Sequence, residues 1–247
     1  MSQPYLSIIV PAYNEAERIA KALIEMDRVL SRVDYSYELL VINDGSADNT
    51  VEVVTKMMLM ISNLKIVDLK VNVGKGGAVR HGMLVARGQV RLFTDADNST
   101  SIDQFEKMMP YFKEGYAVVI GSRAVPGARL DPPEPFYRQV LGKGLNLVVQ
   151  VLILPGIWDT QCGFKAFTAE AAEKVFRLAR ITGWGFDVEA LALAKQMGYQ
   201  IKEMPVVWVD DARSHIKFSA GLQFLRDAIK IRWWLWRGSY RSESPGA

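Results

Sequence analysis

The stretch Val90-Arg91-Leu92-Phe93-Thr94-Asp95-Ala96-Asp97 decides how this 247-residue chain reads. Its first five residues have the apolar and β-branched character of a short strand, and two carboxylates follow at once. Aspartates one residue apart reach the same hard divalent cation only where a strand ends and the backbone turns. The competing reading is that Asp95 or Asp97 caps the next helix. Other apolar runs end in polar clusters too: Tyr13-Asn14-Glu15, Asp44-Gly45-Ser46 and Ser122-Arg123. Strands are expected near Leu6 to Ala12, Glu38 to Asn43, Lys65 to Leu69, Val90 to Thr94 and Ala117 to Gly121. Helical spacing fills the gaps at Glu15 to Leu30, Asp48 to Ile61, Lys75 to Ala86 and Asp103 to Phe112. This alternation is that of an α/β fold with a mostly parallel central sheet flanked by helices. In such sheets ligands bind beyond the carboxyl ends of the strands, so the polar clusters are expected to converge on one site.

After Arg123 the pattern changes. A proline-rich loop, Val125 to Pro135, leads to an apolar helix from about Tyr137 and a short strand, Gly163 to Phe167. Helices Ala169 to Arg177 and Asp187 to Met197, a strand Tyr199 to Val209 and an amphipathic helix Lys217 to Arg237 complete the chain. Thirty Lys plus Arg against 27 Asp plus Glu give a net charge of +3, too mild for a general nucleic-acid surface. Cys162 is the only cysteine, so neither an intrachain disulfide nor a cysteine-rich zinc site is expected, and the cytoplasm is the default compartment. Met1 to Tyr5 lacks the pattern of a secretory signal. The run Leu145 to Trp158 is interrupted by Asn146, Gln150, Pro155 and Gly156, and reads as able to touch a membrane but not to cross it.

Three further stretches carry candidate chemistry. Gly74-Lys75-Gly76-Gly77-Ala78 precedes a helix and could offer backbone N–H groups and an ammonium to a diphosphate, or simply be a tight turn. It lacks the Ser/Thr of a P-loop, and Val79 stands where a dinucleotide fingerprint needs glycine. Asp187 and Glu189, between an aromatic turn and a helix, offer a general base, a positioning group or a cap. His81 and His215 are the only histidines, too few for a histidine metal site, and His81 reads as structural.

Pro11-Ala12-Tyr13-Asn14-Glu15, Val41-Ile42-Asn43-Asp44-Gly45-Ser46 and Asp95-Ala96-Asp97 together resemble the inverting family 2 glycosyltransferases of GT-A (Rossmann-like) fold. Gly74 to Arg80, Asp159-Thr160-Gln161-Cys162-Gly163-Phe164-Lys165 and Phe186 to Glu189 are similar to the dolichyl-phosphate β-glucosyltransferase branch of polyprenyl-phosphate glycosyltransferases. The resemblance, from about Leu6 to Trp233, implies that Pro11, Tyr13, Glu15 and Asp44 hold the nucleoside. Lys75 would lie near the base or diphosphate, and Asp95, Ala96 and Asp97 would form the metal-bearing turn, with Asp95 and Asp97 on Mg²⁺ or Mn²⁺. Arg123 and Arg138 match acceptor-phosphate positions; Gln161 and Asp187 fall in motifs facing the sugar and the reaction centre. The implied activity moves a hexose, glucose from UDP-glucose, to a dolichyl or undecaprenyl phosphate. A phosphate monoester, with a second pKa of roughly 6, is already largely ionised, so Asp187 is expected to position rather than to remove an essential proton. Two positions depart from the branch: Asn98 replaces a small residue after the metal triplet, and Ser214-His215 stands where Ser-Lys is expected. Arg213 or Lys217 is left as a substitute for that missing charge.

A lipid acceptor requires a route to the membrane. Phe218, Leu222, Leu225, Ile229 and Trp233 share a helical face bordered by Lys217, Arg226, Lys230 and Arg237, as in an interfacial helix or an ordinary packed one. The expected organisation is therefore a catalytic domain, residues 1–215, and a membrane-interfacial helix and tail, 216–247, peripheral on the cytoplasmic face. Alternatives are a GDP-mannose-dependent polyprenyl-phosphate mannosyltransferase and a transferase to a soluble sugar or protein hydroxyl, the latter needing Asp187 as base. A processive polysaccharide synthase is disfavoured because Ile229 stands where glutamine should precede Arg232-Trp233. A dehydrogenase would need no divalent metal, and a non-catalytic module would bind donor without turnover.

Overall fold

The computed structural model describes residues 3–132, 136–209 and 218–240. Strands β1 (Leu6–Ala12), β2 (Tyr37–Asp44), β3 (Leu64–Leu69) and β4 (Val90–Thr94) run parallel in the order β3-β2-β1-β4. Helices α1 (Ile19–Leu30), α2 (Thr50–Met57) and α3 (Lys75–Val85) make the crossovers. The direction of winding reverses between β1 and β4, which opens a crevice at their carboxyl ends. A 3₁₀ turn (Ile102–Lys107) and α4 (Met109–Lys113) lead to β5 (Val118–Ser122).

The second half completes the sheet less predictably. After β6 (Arg129–Asp131) and α5 (Phe136–Leu152), strand β7 (Phe164–Thr168) inserts antiparallel between β4 and β5. Helices α6 (Ala169–Leu178) and α7 (Phe186–Gln196) precede β8 (Ile201–Pro205), parallel to β5 at the sheet edge. The strand expected from Tyr199 to Val209 is in fact two: β9 (Val207–Val209) leaves the main sheet and pairs with β6. The break at Val206 has a visible cause, since buried Gln104 donates to the Val207 carbonyl at 2.8 Å and accepts from its N–H at 2.7 Å. The Val209 N–H then bonds the Ser99 carbonyl at 2.8 Å, tying β9 to the segment after Asp97.

Alternate residues of the strands feed two cores. Ile8, Val10, Leu39, Val41 and Leu92 pack with α1, α2 and the 3₁₀ turn, whereas Ile9, Leu40, Ile42 and Phe93 pack with α3, α6 and α7. The expected helix Asp103 to Phe112 is divided because Pro110, at the start of α4, has no N–H to continue the ladder. The helix expected from Glu15 starts instead at Ile19, and that expected from Asp48 starts at Thr50, because the intervening residues bond across the two loops. The final helix, α8 (Phe218–Trp236), buries Phe224, Ala228 and Ile231 against the body and exposes Ile229, Trp233 and Trp236. Its contacts are with α5 and α7. Among the described residues no helix is long and apolar enough to cross a membrane.

Candidate active site

The β1 and β2 termini are laced together. Ser46 Oγ accepts from the Asn14 N–H at 2.9 Å, Thr50 Oγ1 from Glu15 at 2.8 Å and Asp48 Oδ2 from Ala16 at 3.1 Å. Asn14 Oδ1 returns the contact from the Ala47 N–H at 2.8 Å, and its left-handed backbone, φ 54°, makes the turn possible. This fixes Tyr13, half exposed, and Glu15, whose carboxylate pairs with Arg18. Pro11 is buried on β1, opposite Ile42. Asp44, also buried, accepts the Val73 N–H at 2.7 Å, and burial pushes its carboxyl above the ordinary aspartate value against the pull of that bond. A cleft of about 280 Å³ lies at this rim, and its lining includes Glu15 alone of the expected donor residues.

In the glycine-rich turn two backbone donors are engaged within the chain. Gly74 N–H goes to Asn72 Oδ1 at 3.1 Å and Gly76 N–H to the Thr182 carbonyl at 2.8 Å, so these donors are already engaged. The glycines allow close approach: a Cβ on Gly76 would lie 2.6 Å from Phe186 Cβ. What the turn delivers is Lys75, whose ammonium is 2.6 Å from Asp95 Oδ1 and 5.2 Å from the Trp184 ring centroid. Burial opposes that charge, but Asp95 and Asp187 outweigh it and hold Lys75 above its ordinary value.

Asp95 and Asp97 project just beyond β4 with Ala96 buried between them. Asp97 Oδ1 accepts the Ser99 N–H at 3.0 Å in a tight turn, and the following 3₁₀ turn begins after Ser101 with no side-chain cap, so neither aspartate caps it. Gly163 presses on this turn, since a Cβ there would fall 2.0 Å from Asp95 Oδ2. Among the described residues there is no group of three or more His, Cys, Asp or Glu side chains arranged to hold a metal. Asp95 and Asp97 are the residues here whose hard carboxylate oxygens could hold a divalent cation.

Two further ion pairs complete the site. Arg123 gives Nε and Nη2 to Asp159 at 2.8 and 3.1 Å, and its guanidinium stacks 5.5 Å from the Trp208 ring. Asp159 also accepts the N–H groups of Arg123, Gln161 and Cys162 at 2.9, 3.1 and 3.1 Å. Burial would raise its carboxyl, but Arg123 and these bonds hold it below the ordinary value. Gln161 itself is exposed. Asp187, at the start of α7, is buried with its Oδ1 2.6 Å from Lys165 Nζ; burial raises its carboxyl, opposed by Lys165 and Lys75. Arg138 lies on α5, with its side chain outside the described residues, as are Arg213, Ser214, His215 and Lys217. In the sequence Lys165 and Asp159 stand out only as members of the Asp159-to-Lys165 motif, and Asp227 carries no signal of its own. Asp227, buried on α8, backs onto the Gly183–Gly185 turn beside Trp184.

Residues 7–176 match the Glycosyl transferase family 2 model. The chain belongs to that family. This family 2 transferase is 38% identical over 253 residues to the dolichyl-phosphate beta-glucosyltransferase of Dictyostelium discoideum, covering 97% of this chain and 77% of that one. The human protein of the same name is 33% identical over 255 residues, with 96% and 78% covered. In fold, the enzyme resembles glucosyl-3-phosphoglycerate synthase from Mycobacterium tuberculosis, solved with UDP: TM-score 0.68, 18% identity, 93% of this chain and 80% of that one. Mannosyl-3-phosphoglycerate synthase from Rubrobacter xylanophilus gives TM-score 0.71, 15% identity, 99% and 77%. These neighbours establish the GT-A architecture of the transferase.

Proposed function

We propose that this glycosyltransferase moves glucose from UDP-glucose to a polyprenyl phosphate, of dolichyl or undecaprenyl type, with inversion at the anomeric carbon. The observation that carries the reading is the convergence of Asp95, Asp97, Lys75, Asp187 and the Arg123–Asp159 pair on the carboxyl ends of β4 and β5 and the starts of α3 and α7. The similarity over nearly the whole chain to dolichyl-phosphate beta-glucosyltransferases supports the sugar and the acceptor.

In this reading the lacing of the β1 and β2 loops presents Tyr13, Glu15 and Asp44 to the nucleoside, with Pro11 supporting the strand end. Asp95 and Asp97 would hold Mg²⁺ or Mn²⁺, which when bound neutralises charge on the departing nucleoside diphosphate. Lys75 then shifts its hydrogen bonds from Asp95 toward the diphosphate. Arg123, oriented by Asp159, meets the acceptor phosphate together with Arg138, and Gln161 faces the sugar. The phosphate oxygen forms the new bond to the anomeric carbon as the bond to the nucleotide breaks. Because that oxygen is already ionised, Asp187 orients rather than deprotonates.

The acceptor is reached from the membrane side. We assign residues 1–215 to catalysis and 216–247 to a peripheral contact with the cytoplasmic membrane face. Exposed Ile229, Trp233 and Trp236 lie among the exposed cations Arg226, Lys230, Arg232 and Arg237, a composition drawn to anionic interfaces.

The deciding experiment mixes radiolabelled UDP-glucose or GDP-mannose with Mn²⁺ and a short polyprenyl phosphate, and counts label entering the organic phase. Transfer from UDP-glucose alone, lost in Asp97→Ala, is expected. Label from GDP-mannose only would make the enzyme a mannosyltransferase. Metal-dependent donor binding with transfer only to a soluble hydroxyl would replace the lipid reading and make Asp187 a base.

A further inference from the structure

We propose that Lys165 is a positioning residue, fixing the Asp187 carboxylate and joining it to the 159–163 loop that orients Arg123. This deepens the transferase reading and rests on it. Lys165 is the second residue of β7, the strand between β4 and β5, and is fully buried. Its strand neighbours Phe164, Ala166 and Phe167 are apolar and equally buried. Desolvating an ammonium costs several kcal/mol, and a well-packed aliphatic side chain would stabilise such a position at least as well. The cation therefore needs an explanation other than core stability.

Its contacts supply one. Nζ lies 2.6 Å from Asp187 Oδ1 and also donates to the Cys162 carbonyl. The Cys162 N–H, on the other side of the same residue, goes to Asp159, the carboxylate that holds Arg123. The adjoining Gly163 abuts Asp95. One buried ammonium thus clamps both the carboxylate at the start of α7 and the short loop between the acceptor arginine and the metal-binding turn. Lys165 ends in a flexible point charge, and the Phe93 ring, 5.4 Å from Nζ, and the two oxygen contacts limit its motion. Without it, Asp187 would keep its burial but lose the hydrogen bond that selects its orientation, and misplacement of about 1 Å costs roughly 100-fold in rate.

The test measures kcat, both KM values, donor binding by calorimetry and the thermal midpoint for Lys165→Met, Lys165→Arg, Asp187→Asn and the double variant Lys165→Met/Asp187→Asn. Lys165→Met is expected to remain folded and to lose kcat by about 100-fold while donor affinity changes by less than about 3-fold. Lys165→Arg restores part of the loss. In the Asp187→Asn background, removing Lys165 lowers kcat by less than about 3-fold further, because the two act as a unit. Retention of kcat in folded Lys165→Met, or multiplicative losses in the double variant, would overturn the proposal. If Lys165→Met does not fold, the double variant, which removes both buried charges, decides the matter against Asp187→Asn alone. Failure of the transferase reading is seen separately in the parent enzyme: if it uses a hydroxyl acceptor, the same comparison is made on that acceptor.

Discussion

Asp159 concentrates five hydrogen bonds on one carboxylate, two from the Arg123 guanidinium and three from backbone N–H groups. Its folded-state pKa lies below the ordinary aspartate value of 3.8, so the unfolded chain takes up this proton first as pH falls. Its stabilisation is therefore complete above about pH 4 and disappears as acid titrates the folded carboxyl. Asp159→Asn is expected to cost about 3 kcal/mol at neutral pH, because it removes the buried negative charge opposite the Arg123 guanidinium. Chemical denaturation of both proteins should show the difference holding from pH 7 to about pH 4 and shrinking only at more acid pH; a difference that stays constant below about pH 4 would remove the ionic account. At this scale the candidate site was legible where apolar sequence gives way abruptly to acidic residues. Asp95, Asp97 and Asp187 are marked by abrupt changes from apolar to acidic residues. Lys165 and Asp159 were not legible as site residues, because their roles depend on partners 22 and 36 positions away.

Among the elements, α8 carries apolar residues on two sides. Its sequence displays a stripe through Leu225, Ile229 and Trp233, yet the side docked on the body carries Phe224, Ala228 and Ile231. Both sides are apolar, and only the positions of α5 and α7 decide which is covered. The two faces make opposite predictions. Trp233→Ser/Trp236→Ser should reduce sedimentation with anionic vesicles at low salt severalfold and leave the thermal midpoint nearly unchanged. Ile231→Ala should cost about 2–5 kcal/mol by opening a cavity. Equal vesicle binding by the parent and the double Trp variant would separate α8 from the membrane. The parallel strands β1 to β4 were legible because each is a local run. The antiparallel insertion of β7 and the departure of β9 were not, since both are set by edges supplied from distant parts of the chain.

For the molecule as a whole, three buried or half-buried carboxylates of the candidate site each pair with a cation of the chain itself. Lys75 compensates Asp95, Lys165 compensates Asp187 and Arg123 compensates Asp159. Chelation should therefore abolish transfer while shifting the thermal midpoint of the donor-free enzyme by no more than about 2 °C, as followed by circular dichroism. A large fall would mean that the cation is a structural element of the fold. The α/β class, the parallel half and the location of the crevice followed from the sequence because they rest on repetition; the closure of the sheet did not.

That closure also gives the chain a history. Synthesis delivers β1 to β4 first, and they can pair among themselves, but the free flank of β4 must wait for Phe164–Thr168 before it is covered. A nascent chain in that interval presents a row of unpaired backbone groups, the edge on which association between chains begins. The strand that carries Lys165 is thus also the one that covers this edge of the parallel half.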